Sequence, residues 1–315
     1  MRILVSGSLA YDRIMSFPGS FADHILPEKI HILNVCFLVS GLEEKFGGTA
    51  GNIAYSLKLL GEKPTILGCA GKDFAAYEAW LRHNGLSLDG IRRVNGEFTA
   101  GAYITTDRSD NQITGFNPGA MKQPCNYPLD DCDPADTLVI VAPGNLDDMQ
   151  EYPRHCKQRG IPCIVDPGQN ITAFSGDQLT EMLTGAAYLI SNDYELQLIE
   201  NATKLSLAEI RAKAATIITT LGENGSIIRA GDKETHIPPC PVAEVQDPTG
   251  AGDAFRAGFI KGLVLGKNPA EAAKLGSVSA AYAVERHGTQ EHQYTWDAFC
   301  DRYAALFGPL EPARS

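Results

Sequence analysis

The chain has 315 residues, 44% of them hydrophobic and 21% charged, which suits one large domain with a sizeable core and an appendage. Its formal net charge of -11 argues against a nucleic-acid partner or an anionic-membrane surface. No apolar run reaches membrane-spanning length, the first strand turns polar too soon for a signal peptide, and eight cysteines without a Cys-x-x-Cys pair predict reduced thiols in a cytoplasmic protein.

In chain order, a first strand is predicted over 3–8, a helix over 49–60, a strand over 64–68 and a helix over 74–84. A strand over 137–142, a helix over 147–159 and strands over 162–165 and 187–190 follow. A helix over 194–200, a strand over 216–219 and helices over 252–265 and 269–285 complete the series. The strands are short and apolar on both faces, as buried parallel strands are. This alternation predicts an α/β layer sandwich with a mainly parallel sheet.

Two segments break the pattern. Residues 11–46 carry the turn signal Phe17-Pro18-Gly19 and an apolar run from Leu33 to Val39, but no long amphipathic helix. Residues 97–117 alternate through Phe98, Ala100, Ala102 and Ile104 and resume at Gln112-Ile113-Thr114-Gly115-Phe116. Together they predict a small β-sheet inserted into the core. The tail 311–315 is expected to be disordered.

Ligands of parallel sheets bind beyond the strand C-termini. There the chain places Asp166-Pro167, Asn192 and Thr220-Leu221-Gly222. The most informative stretch is Asp247-Pro248-Thr249-Gly250-Ala251-Gly252-Asp253-Ala254-Phe255-Arg256. With Phe255, Phe259 and Leu263 at helical spacing, a glycine-rich turn opens a helix and Asp253 sits in its first turn. Free N–H groups at Gly250, Ala251 and Gly252, with the helix dipole, make a site for a phosphate or oxyanion. A carboxylate beside such a site can take the proton from a hydroxyl that attacks phosphorus. The helix start is expected to favour the carboxylate form of Asp253. The same pattern also fits a tight turn followed by an acidic first turn. Arg256 is expected either on a phosphate or in a structural ion pair.

These residues resemble the C-terminal signature of the ribokinase-like (PfkB) family of sugar and nucleoside kinases. Gly47-Gly48-Thr49-Ala50-Gly51-Asn52-Ile53-Ala54 is similar to the family's N-terminal signature. Asn192-Asp193-Tyr194-Glu195 resembles its Asn-x-x-Glu motif, and Thr220-Leu221-Gly222-Glu223-Asn224-Gly225 its nucleotide loop. The four stand in family order, and the resemblance covers nearly the whole chain.

It implies a single ribokinase-like kinase domain over 1–315, with a mainly parallel central sheet and a β lid from about 11–46 and 97–117. It implies ATP as phosphoryl donor, Asp253 as base, and Gly250, Ala251 and Gly252 as anion hole. Asn192 and Glu195 would serve Mg²⁺ and phosphate, Glu195 through water. The same pair reads equally as a helix cap with an acid at the third position. Thr220, Leu221, Gly222, Glu223, Asn224 and Gly225 would pass under the nucleotide, with Gly252 against its phosphates. Asp12 would accept from two vicinal ribose hydroxyls, with Ser8, Gly48 and Asn52 in the same group. The resemblance also allows a monovalent cation and a homodimer through the lid.

A sugar kinase and a nucleoside kinase would share all of this. A base-recognising group is the discriminator: Phe116 is expected to stack on a purine, and Gln169 and Asn170 to meet its polar edge. Three further stretches resemble bacterial adenosine kinases of the family. They run from Phe17 to Leu26-Pro27-Glu28, from Phe116 to Met121, and over Gly288-Thr289-Gln290-Glu291. That similarity implies transfer of the ATP γ-phosphoryl group to the 5′-hydroxyl of adenosine, with a sugar kinase or broader nucleoside kinase as the alternative. The chain departs from those relatives at Ala102, where they carry an aromatic residue, and at Cys36, where they carry a serine. Tyr103 points to the opposite strand face and is no automatic substitute.

Overall fold

The computed structural model describes residues 1–32 and 34–311, which form thirteen strands and nine α-helices. The strands are β1 (Arg2–Ser6), β2 (Ala10–Ser16), β3 (Glu43–Gly47), β4 (Thr65–Ala70), β5 (Ile91–Arg93), β6 (Ala100–Thr106), β7 (Gln112–Asn117), β8 (Thr137–Val141), β9 (Cys163–Val165), β10 (Tyr188–Asn192), β11 (Thr216–Thr220), β12 (Ser226–Ala230) and β13 (Lys233–Ile237). The helices are α1 (Thr49–Leu59), α2 (Ala75–His83), α3 (Leu146–Arg159), α4 (Gly176–Leu183), α5 (Asp193–Thr203), α6 (Leu207–Arg211), α7 (Ala251–Val264), α8 (Pro269–Val284) and α9 (Trp296–Phe307).

Nine strands make the main sheet, in the order β13-β12-β11-β10-β9-β8-β1-β4-β5. All neighbours are parallel except the terminal hairpin of β12 and β13, which pairs antiparallel on β11. The continuous apolar runs follow from burial on both faces. Ile3 and Val5 of β1 enter one core with α1, α7, α8 and α9, while Leu4 enters a second core with α3, α4 and α5. Leu138 and Ile140 of β8 alternate likewise with Val139 and Val141. Each fully buried Val, Leu or Ile contributes roughly 1.5–3 kcal/mol relative to an exposed one, so interrupting such a strand with a polar residue would penalise one core or the other.

Four strands form the small sheet, in the order β3-β2-β6-β7. The pair β2–β6 is parallel, while β2–β3 and β6–β7 are antiparallel. Residues 34–39 of the apolar run in segment 11–46 are not among its strands. Leu33 lies outside the described residues, and 34–39 carry no regular element; Phe37 packs instead on Phe17 and Phe21 at 4.9 and 5.0 Å between ring centroids. One of its two edge strands is the charged Glu43-Glu44-Lys45-Phe46-Gly47. Charged side chains on an edge protect it from further pairing.

The register fixes what the small sheet presents. Asp12 pairs with Lys45 and with Ala102, and Ala102 pairs with Phe116. Directly paired residues share a face. Lys45, Asp12, Ala102 and Phe116 therefore form one row. Arg13 and Tyr103 occupy the other face, where Arg13 Nη1 donates to the Tyr103 hydroxyl at 2.9 Å and Arg13 Nε to Glu44 at 2.8 Å. The tail 312–315 lies outside the described residues. Among the described residues, no helix is long and apolar enough to cross a membrane.

Candidate active site

A cleft of about 780 Å³ opens beyond the C-terminal ends of the parallel strands, between the main sheet and the small one. The strand order arranges its floor. Thr220 ends β11, Asn192 ends β10, Asp166 follows β9, Pro143 and Gly144 follow β8, and Ser8 follows β1. The loops are tied at the Ser8 end. Thr49 Oγ1 donates to the Pro143 carbonyl at 2.7 Å, and the Thr49 N–H donates to Ser8 Oγ at 3.0 Å.

Asp253 stands in the first turn of α7, after Gly250 at φ +79°. That left-handed conformation at the helix entrance is open to glycine at little cost. Asp253 Oδ2 accepts from Asn52 Nδ2 at 2.8 Å, joining two signatures 201 residues apart. Gly250, Gly252 and Asp253 line the cleft, and Ala251 does not.

The Asp253 carboxyl is shifted in the direction opposite to that expected from the helix start. Burial pushes its carboxyl up to about 6, against the opposing effects of Arg256 and the Asn52 amide; Asp166 pushes it further up. Desolvation outweighs the helix entrance. The group remains mostly ionised at neutral pH and gains protons as the pH falls towards 6.

Arg256 resolves to an ion pair. Its Nη2 donates to Asp166 Oδ1 at 2.7 Å, and its Nε lies against Asp166 Oδ2. Arg256 is 7% exposed and Asp166 1%. Burial opposes the Arg256 charge, but Asp166, then Asp253 and Glu195, hold the guanidinium protonated. Burial raises Asp166 while Arg256 pulls it down. The sequence places Asp166 at a strand end where ligands bind but gives it no role, because its partner lies 90 positions away and leaves no local pattern.

At the other flank, Asn192 Oδ1 accepts from the Glu195 N–H at 2.6 Å, and Glu195 Oε2 accepts from the Asn192 N–H at 2.8 Å. That is a complete capping box, which does not keep either side chain out of the cleft. Burial raises the Glu195 carboxyl, and the nearby Asp166 adds to this. Thr220 and Gly222 line the cleft. Leu221, Glu223, Asn224 and Gly225 do not: they build the turn between β11 and β12, in which the Leu221 N–H donates to the Gly225 carbonyl at 2.8 Å.

Ser8, Asp12, Gly48, Asn52, Phe116, Gln169 and Asn170 all line the same cleft. Among the described residues no protein donor engages the Asp12 carboxylate, and burial and Asp247 raise it. Ala102 leaves a short side chain in the row between Asp12 and Phe116. Phe116 is 53% exposed, so its ring has an open face. Asn170 is less available than its sequence position suggests. Its Nδ2 donates to the Gly144 carbonyl at 3.2 Å, leaving Oδ1 and the exposed Gln169 amide to meet a ligand.

Comparison with known proteins agrees with this geometry. The model of the pfkB family carbohydrate kinases matches residues 14–296. A nucleoside kinase of Methanocaldococcus jannaschii is 30% identical over 285 residues, covering 87% of this chain and 91% of that relative. Ribokinase of Bacillus subtilis is 28% identical over 250 residues, covering 78% of this chain and 83% of its own. The solved nucleoside kinase of Burkholderia thailandensis in complex with inosine superposes with a TM-score of 0.86 at 37% identity, covering 99% of this chain and 100% of that one. The same enzyme in complex with ADP-inosine gives a TM-score of 0.84 at 38% identity, with 99% and 98% covered. With four signatures in one cleft and a family match over nearly its full length, the chain belongs to the pfkB family of carbohydrate kinases and is a kinase whose acceptor is a nucleoside or sugar hydroxyl.

Proposed function

We propose that the protein is an ATP-dependent purine nucleoside 5′-kinase that uses adenosine but is not confined to it. The observation that carries this reading is the row of Asp12, Ala102 and Phe116, of which Asp12 and Phe116 line the same cleft as Asp253. Asp12 takes two ribose hydroxyls, Phe116 stacks on the base, and the 5′-hydroxyl reaches Asp253. A free sugar has no use for Phe116. Two details favour a broad purine range over adenosine alone. Ala102 leaves one wall of the base pocket thin. The Asn170 amide N–H is already spent on Gly144, so the edge is read mainly by Gln169, whose amide can rotate to meet an amino or a carbonyl group. The Burkholderia thailandensis relative, with inosine bound, supports the same range.

In this reading Asp253 takes the 5′-hydroxyl proton, and the N–H groups of Gly250 and Gly252 meet the transferred phosphoryl, while the expected third donor, the Ala251 N–H, is already held by the Pro248 carbonyl at 3.3 Å. ATP lies over Asn192, Glu195, Thr220 and Gly222. Mg²⁺ fits this flank, where the half-buried Glu195 offers a hard oxygen and a raised carboxyl gains from a nearby cation. The metal would neutralise charge on the β- and γ-phosphate oxygens. The chain acts as a single kinase domain with the small sheet as its lid. Its eight cysteines, all free, suit a reducing cytoplasm.

The test is turnover of adenosine, inosine, guanosine, ribose and fructose measured side by side with MgATP. We expect purine nucleosides to exceed ribose in kcat/KM by about 10²-fold or more. Ribose or fructose turning over as well as adenosine would overturn base recognition and favour the sugar-kinase reading.

A further inference from the structure

Behind the cleft wall, a buried chain of polar groups ends on Asp253. Gln290 is 2% exposed. Its Nε2 donates to Asn52 Oδ1 at 3.1 Å and to the Tyr77 hydroxyl at 2.6 Å, and its Oε1 accepts from the Trp80 indole N–H at 2.9 Å. The Tyr77 hydroxyl donates onward to the Gly47 carbonyl at 2.9 Å, while Asn52 Nδ2 donates to Asp253 Oδ2 at 2.8 Å. The loop holding Gln290 is itself pinned. Asp247 Oδ2 accepts from the Gly288 N–H at 2.9 Å, and Thr289 Oγ1 donates to the Phe46 carbonyl at 3.1 Å.

Two groups in this chain act in one sense only. An indole N–H donates and never accepts; a backbone carbonyl accepts and never donates. Trp80 therefore requires the oxygen of Gln290. Gly47 requires the Tyr77 proton, so Tyr77 must accept from the Gln290 NH₂. Both demands give the same amide orientation. Gln290 then offers Asn52 a donor, Asn52 must answer with its oxygen, and its NH₂ is left for Asp253. Space for this arrangement exists because residue 51 is glycine: a Cβ there would stand 1.9 Å from the Tyr77 hydroxyl oxygen and 3.0 Å from Gln290 Nε2.

We propose that Trp80 and Gln290 are positioning residues that lock the Asn52 amide with its NH₂ towards Asp253. This inference rests on the reading that Asp253 is the base. The lock matters when Asp253 holds a proton. A free Asn52 could then turn its oxygen to the carboxylic acid and stabilise it. The locked amide cannot, so only the carboxylate form is favoured and the base stays competent at lower pH. The other groups acting on Asp253 are Arg256 on its own helix, Asp166 after β9 and Tyr77 on α2, whose hydroxyl is held protonated by burial.

The experiment is the pH profile of kcat/KM for adenosine with the full-length enzyme, in wild type, Trp80→Phe, Gln290→Met, the double variant and Asp253→Asn. Phenylalanine keeps the ring stack of Trp80 on Phe46 and Tyr55 and loses the N–H. Gln290→Met should raise the acid limb by about one pH unit, Trp80→Phe by about half a unit in the same direction, with KM for ATP unchanged. The double variant should match Gln290→Met, because Trp80 acts through Gln290. Unmoved limbs in folded variants, or a Trp80→Phe shift that persists in full on the Gln290→Met background, would overturn the relay. Should Gln290→Met not fold, an unmoved limb in Trp80→Phe is sufficient to do so. Asp253→Asn separates the two claims. If it keeps wild-type turnover, the base assignment fails; if it is inactive while the other limbs stay put, only the relay fails.

Discussion

Replacing Arg256 by methionine would separate the two uses that a cation in this position can have. Methionine keeps much of the volume and removes the charge. Asp166, 1% exposed, then faces an apolar surround without its partner. Breaking a buried pair from one side costs about 3–5 kcal/mol, more than the pair itself contributes against an apolar replacement. With an unfolding entropy of about 2.1 cal/mol/K per residue, a chain of this length should lose roughly 5–8 °C in Tm. The pH dependence has a definite sign. Burial already raises Asp166 in the folded state, and losing Arg256 raises it further. A carboxyl raised above its unfolded value destabilises at neutral pH, and the penalty fades as the pH falls through the folded value. The deficit of Arg256→Met should therefore shrink towards pH 5. Asp166→Asn combined with Arg256→Met should recover part of the loss, since no buried charge remains. Scanning calorimetry of wild type, Arg256→Met and the double variant across pH 5–8 measures all of this. An unchanged Tm in Arg256→Met with a large loss of turnover would refute the structural ion pair and make Arg256 a phosphate ligand.

Asp253→Asn should keep the fold and ATP binding but lose about 10²-fold or more in kcat, and wild-type kcat/KM should fall on the acid side of about pH 6, where the Asp253 carboxyl gains its proton; single-turnover rates and a pH series check both. The small sheet should carry a homodimer contact, because nine of the thirteen exposed large hydrophobic residues among those described lie on it or its connections, among them Leu38 at 87% and Ile32 at 66% exposed. Solution scattering that gives a monomer mass at micromolar concentration would rule this out.

The central sheet was legible in the sequence because both faces of its strands are buried. A run such as Thr137-Leu138-Val139-Ile140-Val141 admits few other readings between turn signals. The edges were not. β3 begins Glu43-Glu44-Lys45, with both glutamates exposed, and β13 is Lys233-Glu234-Thr235-His236, exposed along most of its length. An edge strand needs no apolar period, since its stability comes from one neighbour. The short helices α4 and α6 had a usable signal that periodicity missed. Ser175 with Gln178 and Ser206 with Glu209 each complete a capping box, a pattern visible without any structure.

The site divides along a similar line. Residues that act through backbone geometry or lie on a strand end carry local signatures, so Gly250, Gly252, Asp253, Asn192 and Thr220 could be read in sequence and do line one cleft. Residues that act through a distant partner could not. Asp166 meets Arg256 across 90 positions, and Gln290 meets Asn52 across 238. The upward shift of the Asp253 carboxyl was not legible for the same reason. A helix start is a local feature, whereas burial and the charge of Asp166 come from parts of the chain that the fold brings in from far away. A motif thus names the group that does the chemistry, while the groups that tune it are scattered along the chain. In this protein the tuning converges on one carboxylate from two sides: Arg256 steadies its charge from within α7, and the one-way hydrogen bonds given by the Trp80 N–H and accepted by the Gly47 carbonyl fix the amide that faces it.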